Sequence, residues 1–257
     1  IKGLAIAGRA FGRPDWIERA YRAFDFLRDR LWVNGRLLAT HKDGRSHLNA
    51  YLDDYACLID AAIELAQSEW RSSAIEWAEQ LADILIDQFE DKAFGGFFFT
   101  SNDHEKLIHR PKPMMDESTP AGNAVAACAL ARLGHILGKI EYLEAASRVF
   151  EACAASLARY PSAHAALLIA LEDFYQAPRT VVLRGSCASD WKEILGAEYQ
   201  PDLILLDIRA DLEDLPGVLR ERKAFDRSVA YVCTAAACLP ACHSLESLLE
   251  SLQTESG

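Results

Sequence analysis

Asp53 and Asp54 stand side by side ahead of Tyr55, and a third carboxylate, Asp116, falls in a polar run with Arg110, Lys112, Glu117 and Asn123. Carboxylates so placed can move protons or accept hydrogen bonds from hydroxyls, and the nearby cations can stabilise negative charge as it develops. Helix capping accounts for one of the two adjacent aspartates, because a carboxylate accepts free backbone N–H groups and suits the positive end of the helix dipole. Capping needs only one, so the other is free to face a pocket as acid, base or hydroxyl-binding group. His41, with Asp43-Gly44-Arg45 and His47 nearby, is a candidate proton shuttle or metal residue, and a plain surface histidine is the alternative. The candidate catalytic residues are therefore Asp53, Asp54, Asp116 and His41. The candidate substrate-binding residues are Tyr55, Phe97, Phe99, Arg110, Lys112 and Asn123.

Gly95-Gly96-Phe97-Phe98-Phe99-Thr100 precedes the polar run and reads as a turn followed by a short strand, the glycines permitting tight geometry and the phenylalanines alternating. Aromatic walls are platforms for sugars, while buried packing is the other role open to these rings. Asn123 falls in the first turn of a helix read as capped by Thr119 with Pro120 at its first position, so that the N–H groups there aim at a ligand oxygen. Cys233, Cys238, Cys242 and His243 gather near the end, but their spacing fits no standard zinc module. The expectation is reduced thiols and no structural metal. Gly185 follows a β-rich run without a Gly-x-Gly-x-x-Gly partner, so no dinucleotide site and no cofactor is expected.

The elements that must position these residues are mostly helices. Over 15–31, Trp16, Ala20, Ala23, Phe24 and Leu27 recur at three and four, which marks one buried face. The pattern repeats over 53–68, 71–89, 120–137, 141–158 and 162–175. Short turns alternate with long loops at 34–52 and 91–119, which predicts antiparallel hairpins with both long loops at one end, the natural place for a site. Within the first loop, 37–40 reads as a short extended piece. From Pro178 the pattern changes to three short β-rich runs at 179–185, 202–208 and 228–233, with a helix at 190–199 between the first two. The chain thus divides into a helical-hairpin portion, 1–177, and a small α/β appendage, 178–257.

The 257 residues, 51% of them hydrophobic, suffice for a sizeable core. A formal net charge of -11 disfavours nucleic-acid and acidic-membrane partners, which call for a basic surface. No apolar run reaches membrane-spanning length, and no secretory signal pattern is present. Seven cysteines, an odd number scattered mostly through alanine-rich segments, read as reduced core thiols of a cytoplasmic protein. The chain opens on Ile1 in a helical pattern without an N-cap, as the later portion of a longer protein would.

Asp53-Asp54-Tyr55-Ala56, Gly95-Gly96-Phe97-Phe98, Arg110-Pro111-Lys112, Asp116 and Pro120-Ala121-Gly122-Asn123 resemble, in order, signatures of the spermatogenesis-associated protein 20-like family. The closing Ala230-Tyr231-Val232-Cys233, with Cys238 and Pro240, resembles that family's end. Ala121 departs from the pattern, standing where the family usually has Ser and removing a hydroxyl. The resemblance implies a thioredoxin-like domain earlier in the full-length protein. It also implies an (α/α) barrel similar to N-acylglucosamine 2-epimerase and the six-hairpin glycosidases, of which this chain holds the later hairpins. On that basis the expected fold is mainly α, a partial (α/α) barrel of helical hairpins with a small C-terminal α/β appendage. The expected function is a carbohydrate-active module, an epimerase, isomerase or glycosidase acting on a small-molecule sugar. The alternative is a non-catalytic binding or scaffold domain serving the thioredoxin-like domain.

Overall fold

The structure, a computed structural model, describes residues 1–105, 108–185, 188–197, 200–234 and 237–253. Apolar side chains at helical spacing fold into α1 (Lys2–Ala10), α2 (Pro14–Leu31), α3 (Leu52–Ser68), α4 (Ser72–Phe89), α5 (Gly122–Leu137), α6 (Ile140–Arg159) and α7 (Ala165–Tyr175). Pro14 opens α2, where its missing N–H costs nothing. Gly138 ends α5 in the left-handed conformation, φ 71°. The helices α1 and α2, α3 and α4, and α5 and α6 pack as hairpins, while α1, α3, α5 and α7 lie side by side in a row. Alanine makes that close approach possible: Ala56, Ala62, Ala66, Ala126, Ala127 and Ala131 are all buried along α3 and α5.

The start of α5 departs from expectation. Its N-cap is Ala121, not Thr119, and Pro120 lies outside the helix. Asp116 Oδ1 accepts the N–H of that N-cap residue at 2.8 Å and so fixes where the chain enters the helix, while no side chain caps the first turn in the place of a Thr119 hydroxyl.

Both long loops lie at the same end of the row, as the linker pattern predicts. Leu52 N–H donates to the Phe99 carbonyl at 3.0 Å, Arg36 pairs with Asp103 at 2.8 Å, and Tyr51 stacks on Phe99 with centroids 4.8 Å apart. The first loop is more ordered than a single extended piece. It holds a three-stranded antiparallel sheet of β1 (Trp32–Val33), β2 (Arg36–Lys42) and β3 (Arg45–Asn49). Its two reversals are Asn34-Gly35 and Asp43-Gly44, all four residues at positive φ (50° to 74°), the geometry that matches the twist of a two-residue hairpin. The segment expected as a strand after Gly95 makes one bridge, between Glu90 and Phe97, and no strand. Gly95 and Gly96, both at positive φ, turn the chain too sharply there for a ladder to extend.

The C-terminal region forms a sheet in the order β5-β4-β6. Strand β4 (Arg179–Arg184) runs parallel to β5 (Leu203–Ile208), with α8 (Ala188–Gly196) crossing between them, and antiparallel to β6 (Val229–Cys233). Alternation along the strands buries both faces. Val182, Ile204, Leu206 and Ile208 join the core of the helical row. Val181, Leu183, Leu205, Ala230 and Val232 pack against Leu248 and Leu252 of α9 (Leu245–Gln253). The boundary near residue 178 therefore separates two kinds of secondary structure, while apolar packing runs across it.

The expectation of reduced thiols at the end is overturned for two of them: Cys233 and Cys238 form a disulfide. The chain reverses directly after β6 and lays the two residues opposite each other as a bridge pair, bringing their sulfurs together. Cys57, Cys128, Cys153 and Cys242 are free thiols.

Candidate functional site

The two aspartates at the head of α3 have different jobs. Tyr51 N–H donates to Asp54 Oδ2 at 2.9 Å, so Asp54 is the cap. Asp53, one position earlier, makes no side-chain hydrogen bond among the described residues and is exposed. It faces a cavity of about 490 Å³ between the start of α1, α2, β2 and α3. Leu27, Leu31, Leu37, Leu38, Leu58 and Ala61 form apolar walls; Asp53, Asp54, Cys57 and Lys2 supply the polar groups. Partial desolvation at the cavity wall, helped by the neighbouring charge of Asp54, raises the Asp53 carboxyl above its ordinary range. Asp54 is raised by burial and held back by the Tyr51 N–H. The Cys57 thiol, one helical turn after Asp53, is also pushed up, by burial and by Asp53, Asp60 and Asp54. It is a neutral thiol at neutral pH, not an activated nucleophile.

Gly122, the first residue of α5, lies against Asp53. A Cβ there would come within 1.9 Å of Asp53 Oδ1 and 3.1 Å of Leu52 Cδ2. Only glycine lets the carboxylate settle at the positive end of α5. Here the aspartate pair and the Pro120-Ala121-Gly122-Asn123 segment, far apart in sequence, meet.

The remaining candidates are engaged in contacts that build the two long loops and the helix ends beside them. Asn123, fully buried, accepts the Phe97 N–H at 2.7 Å and donates to the carbonyls of Phe97 and Pro113 at 2.9 and 2.8 Å. Arg110 donates to the Thr100 carbonyl and to Asn102 Oδ1 and lies 4.2 Å over the Phe98 ring. Lys112 pairs with Asp91 at 2.7 Å and donates to the Gly95 carbonyl at 2.8 Å. The hydrogen bond from Lys112 to Asp91 holds the Asp91 carboxyl below its usual range. Asp116 spans two helices, one oxygen on Ala121 N–H and the other on Ala166 N–H at the start of α7, both at 2.8 Å. Tyr55 accepts the Leu37 N–H at 3.0 Å and packs its buried ring against Phe89. Phe97 is fully buried and Phe99 lies under Tyr51. His41 sits in β2, its Nδ1 2.9 Å from Ser46 Oγ and its ring edge-on to Phe26.

Of the ten candidates, then, Asp53 and Asp54 line the cavity, and the other eight do not. Cys57 and Lys2 line it without having been singled out from sequence. Cys57 had a legible signal, standing four residues after Asp53 on the same helix face. Lys2 had none. Among the described residues no cluster of three metal-binding side chains occurs. Among these residues, too, no helix is long and apolar enough to cross a membrane.

No family model matches the chain. The chain is similar to spermatogenesis-associated protein 20. The human protein of that name is 27% identical over 258 aligned positions, which cover 93% of this chain and 33% of the relative. The rat protein is 26% identical over the same shares. An uncharacterized protein of Caenorhabditis elegans is 26% identical over 93% of this chain and 34% of its own length. The chain therefore spans about one third of the length of these curated relatives. The likeness carried by the motifs thus extends along almost the whole chain.

Proposed function

We propose that the chain is a non-catalytic ligand-binding module. Its ligand is a small molecule with an apolar body and a hydrogen-bond-donating hydroxyl or amine, seated in the cavity between α1, α2, β2 and α3. The observation that carries this reading is the division of labour among the carboxylates. Among the described residues Asp53 alone of the carboxylates is both exposed to the cavity and free of a side-chain hydrogen bond, while Asp54 and Asp116 are spent on helix ends. Glycoside hydrolysis calls for two carboxyl groups across one bond, and epimerisation for a base and an acid flanking one carbon. Asp53 with a neutral thiol beside it on the same helix face supplies neither pair.

A sugar falls within this ligand class only through its hydroxyls, because Phe97 and Phe99 are turned into packing and the cavity walls are aliphatic. The thioredoxin-like domain belongs to the proposal as the partner this module serves in the full-length protein. A cytoplasmic setting belongs to it as well, supported by the free thiols, Cys57 among them exposed.

Thermal-shift and calorimetric titration of the chain against amphipathic alcohols and amines and a monosaccharide panel tests the reading. Saturable binding lost in Asp53→Asn and kept in Asp116→Asn is the expected result. Turnover of a sugar, or binding that ignores Asp53, would overturn it.

A further inference from the structure

We propose that Cys233 and Cys238 form an exchangeable dithiol–disulfide couple, with Cys238 the reacting sulfur and Arg222 the cation that activates it. The bridge joins residues only five apart. Hydrogen bonds already close the same reversal: Thr234 N–H to the Ala237 carbonyl at 2.8 Å, Leu239 N–H to the Val232 carbonyl at 2.8 Å, and Ala230 with Cys242 in both directions at 2.9 Å. A covalent tie contributes least where the loop it closes is shortest, so the fold gains less from this one than from a bridge between distant segments. The bridge is also reachable from solvent, Cys238 being exposed and Cys233 half-buried.

Arg222 is the decisive neighbour. Its guanidinium donates to Cys238 Sγ at 2.8 Å, and its side chain is only 14% exposed, with Glu221 at 3.9 Å. A disulfide sulfur is a weak acceptor and gives a guanidinium held at this distance little in return. A thiolate gives it a charge-assisted bond and is itself held in the reactive form. The arginine is thus placed for the reduced state of a pair the structure shows oxidised. Among the described residues the other thiols lack this setting. Cys242 is buried with its sulfur near the Ser247 carbonyl and Ser251 Oγ, and burial pushes Cys153 up to about 11 and Cys128 up to about 12.

The exchange partner is a low-molecular-weight disulfide. The Cys238 thiolate attacks one of its sulfurs, a mixed disulfide forms, and the first partner thiolate leaves. Cys233, giving its proton to solvent, then attacks Cys238 Sγ and releases the second thiolate. Two protein thiols are oxidised, and the partner disulfide takes up the two electrons and, from solvent, two protons. A dithiol reductant reverses the cycle.

The test uses the full chain equilibrated in reduced and oxidised dithiothreitol or glutathione buffers, quenched by alkylation and read by mass spectrometry, with circular dichroism following the fold. The expected result is reversible opening of the bridge with the sheet intact, and faster alkylation at Cys238 than at Cys57 or Cys242. In Arg222→Gln the Cys238 rate falls by about tenfold, and Arg222→Lys restores part of it. A bridge that millimolar dithiothreitol leaves closed in the native protein would overturn the proposal. So would loss of the sheet on reduction, or a Cys238 alkylation rate indifferent to Arg222.

Discussion

Asp53 and Asp116 are both aspartates near helix ends, yet their surroundings set them to opposite tasks. Asp116 has both oxygens engaged by backbone N–H groups of two helices, so its value lies in the fold. Asp116→Asn keeps one acceptor and turns an amine toward the other N–H, and should destabilise by about 1–2 kcal/mol in urea denaturation. A midpoint unchanged from the parent chain would show that these caps contribute nothing. Asp53 is the reverse case, a carboxyl raised by partial desolvation and by its charged neighbour Asp54. With the folded carboxyl above its ordinary 3.8, the native state binds more protons than the unfolded chain between those two values. Stability contributed by this group is therefore complete below 3.8 and falls as pH rises through the interval. Asp53→Asn should make the chain more stable at neutral pH, with the gain vanishing as pH drops below the ordinary carboxyl value. A binding group held at some cost to stability behaves in this way. Paired thermal melts across the acid range read it, and a destabilised variant at neutral pH would remove Asp53 from the ligand-binding role.

The loop between α4 and α5 and the start of α5 act as one element, organised by Asn123. Its amide closes three hydrogen bonds to backbone groups in a fully buried setting. Asn123→Ala leaves those groups without partners and should cost about 2–4 kcal/mol, measured by denaturant unfolding. A loss below half a kilocalorie would mean that water or a shift of the loop replaces the amide. What could be read in the sequence follows from which signals are local. Helix faces were legible because Ala, Leu and Ile recur at three and four, and the placement of both long loops at one end followed from connection lengths alone. Asn34-Gly35 and Asp43-Gly44 carried a hairpin signal that the long-loop reading passed over. The roles of Arg110, Lys112 and Asn123 were not legible, because a polar side chain that builds a loop and one that binds a ligand look alike until partners are known. The contact of Gly122 with Asp53 spans the whole helical interval between two motifs and leaves no local trace.

At the scale of the whole molecule, two features bind the parts into one unit. The first is a buried ionic cluster across the helical row. Arg132 of α5 reaches Asp60 at 3.1 Å and Glu64 at 2.8 Å on α3, while Lys2 and Arg9 of α1 meet the same carboxylates at 2.6 and 2.9 Å. Asp60 and Glu64 are 6% and 5% exposed, so removing Arg132 takes away their buried partner and leaves only the more exposed Lys2 and Arg9 to offset two interior charges. Arg132→Met should therefore cost about 3–5 kcal/mol, well beyond the loss from any surface pair. The second feature is the docking of the α/β region. Gly217, at φ 54°, lies so close to α5 that an added Cβ would be 2.4 Å from the Leu137 carbonyl oxygen, and Gly138 packs in the same way against Val218. Gln67 of α3 accepts the Leu205 N–H, and Lys192 of α8 donates to the Ser68 carbonyl. With one face of the central sheet forming part of the helical core, neither portion can open without exposing the other. Native-state hydrogen exchange should therefore show β4, β5, α3 and α5 sharing a single denaturant-dependent opening. Gly217→Val, which adds bulk where both backbone angle and space forbid it, should lower that opening free energy in all four elements together. Protection lost from β4 and β5 while α3 and α5 keep theirs would instead establish the C-terminal region as an independently folding unit.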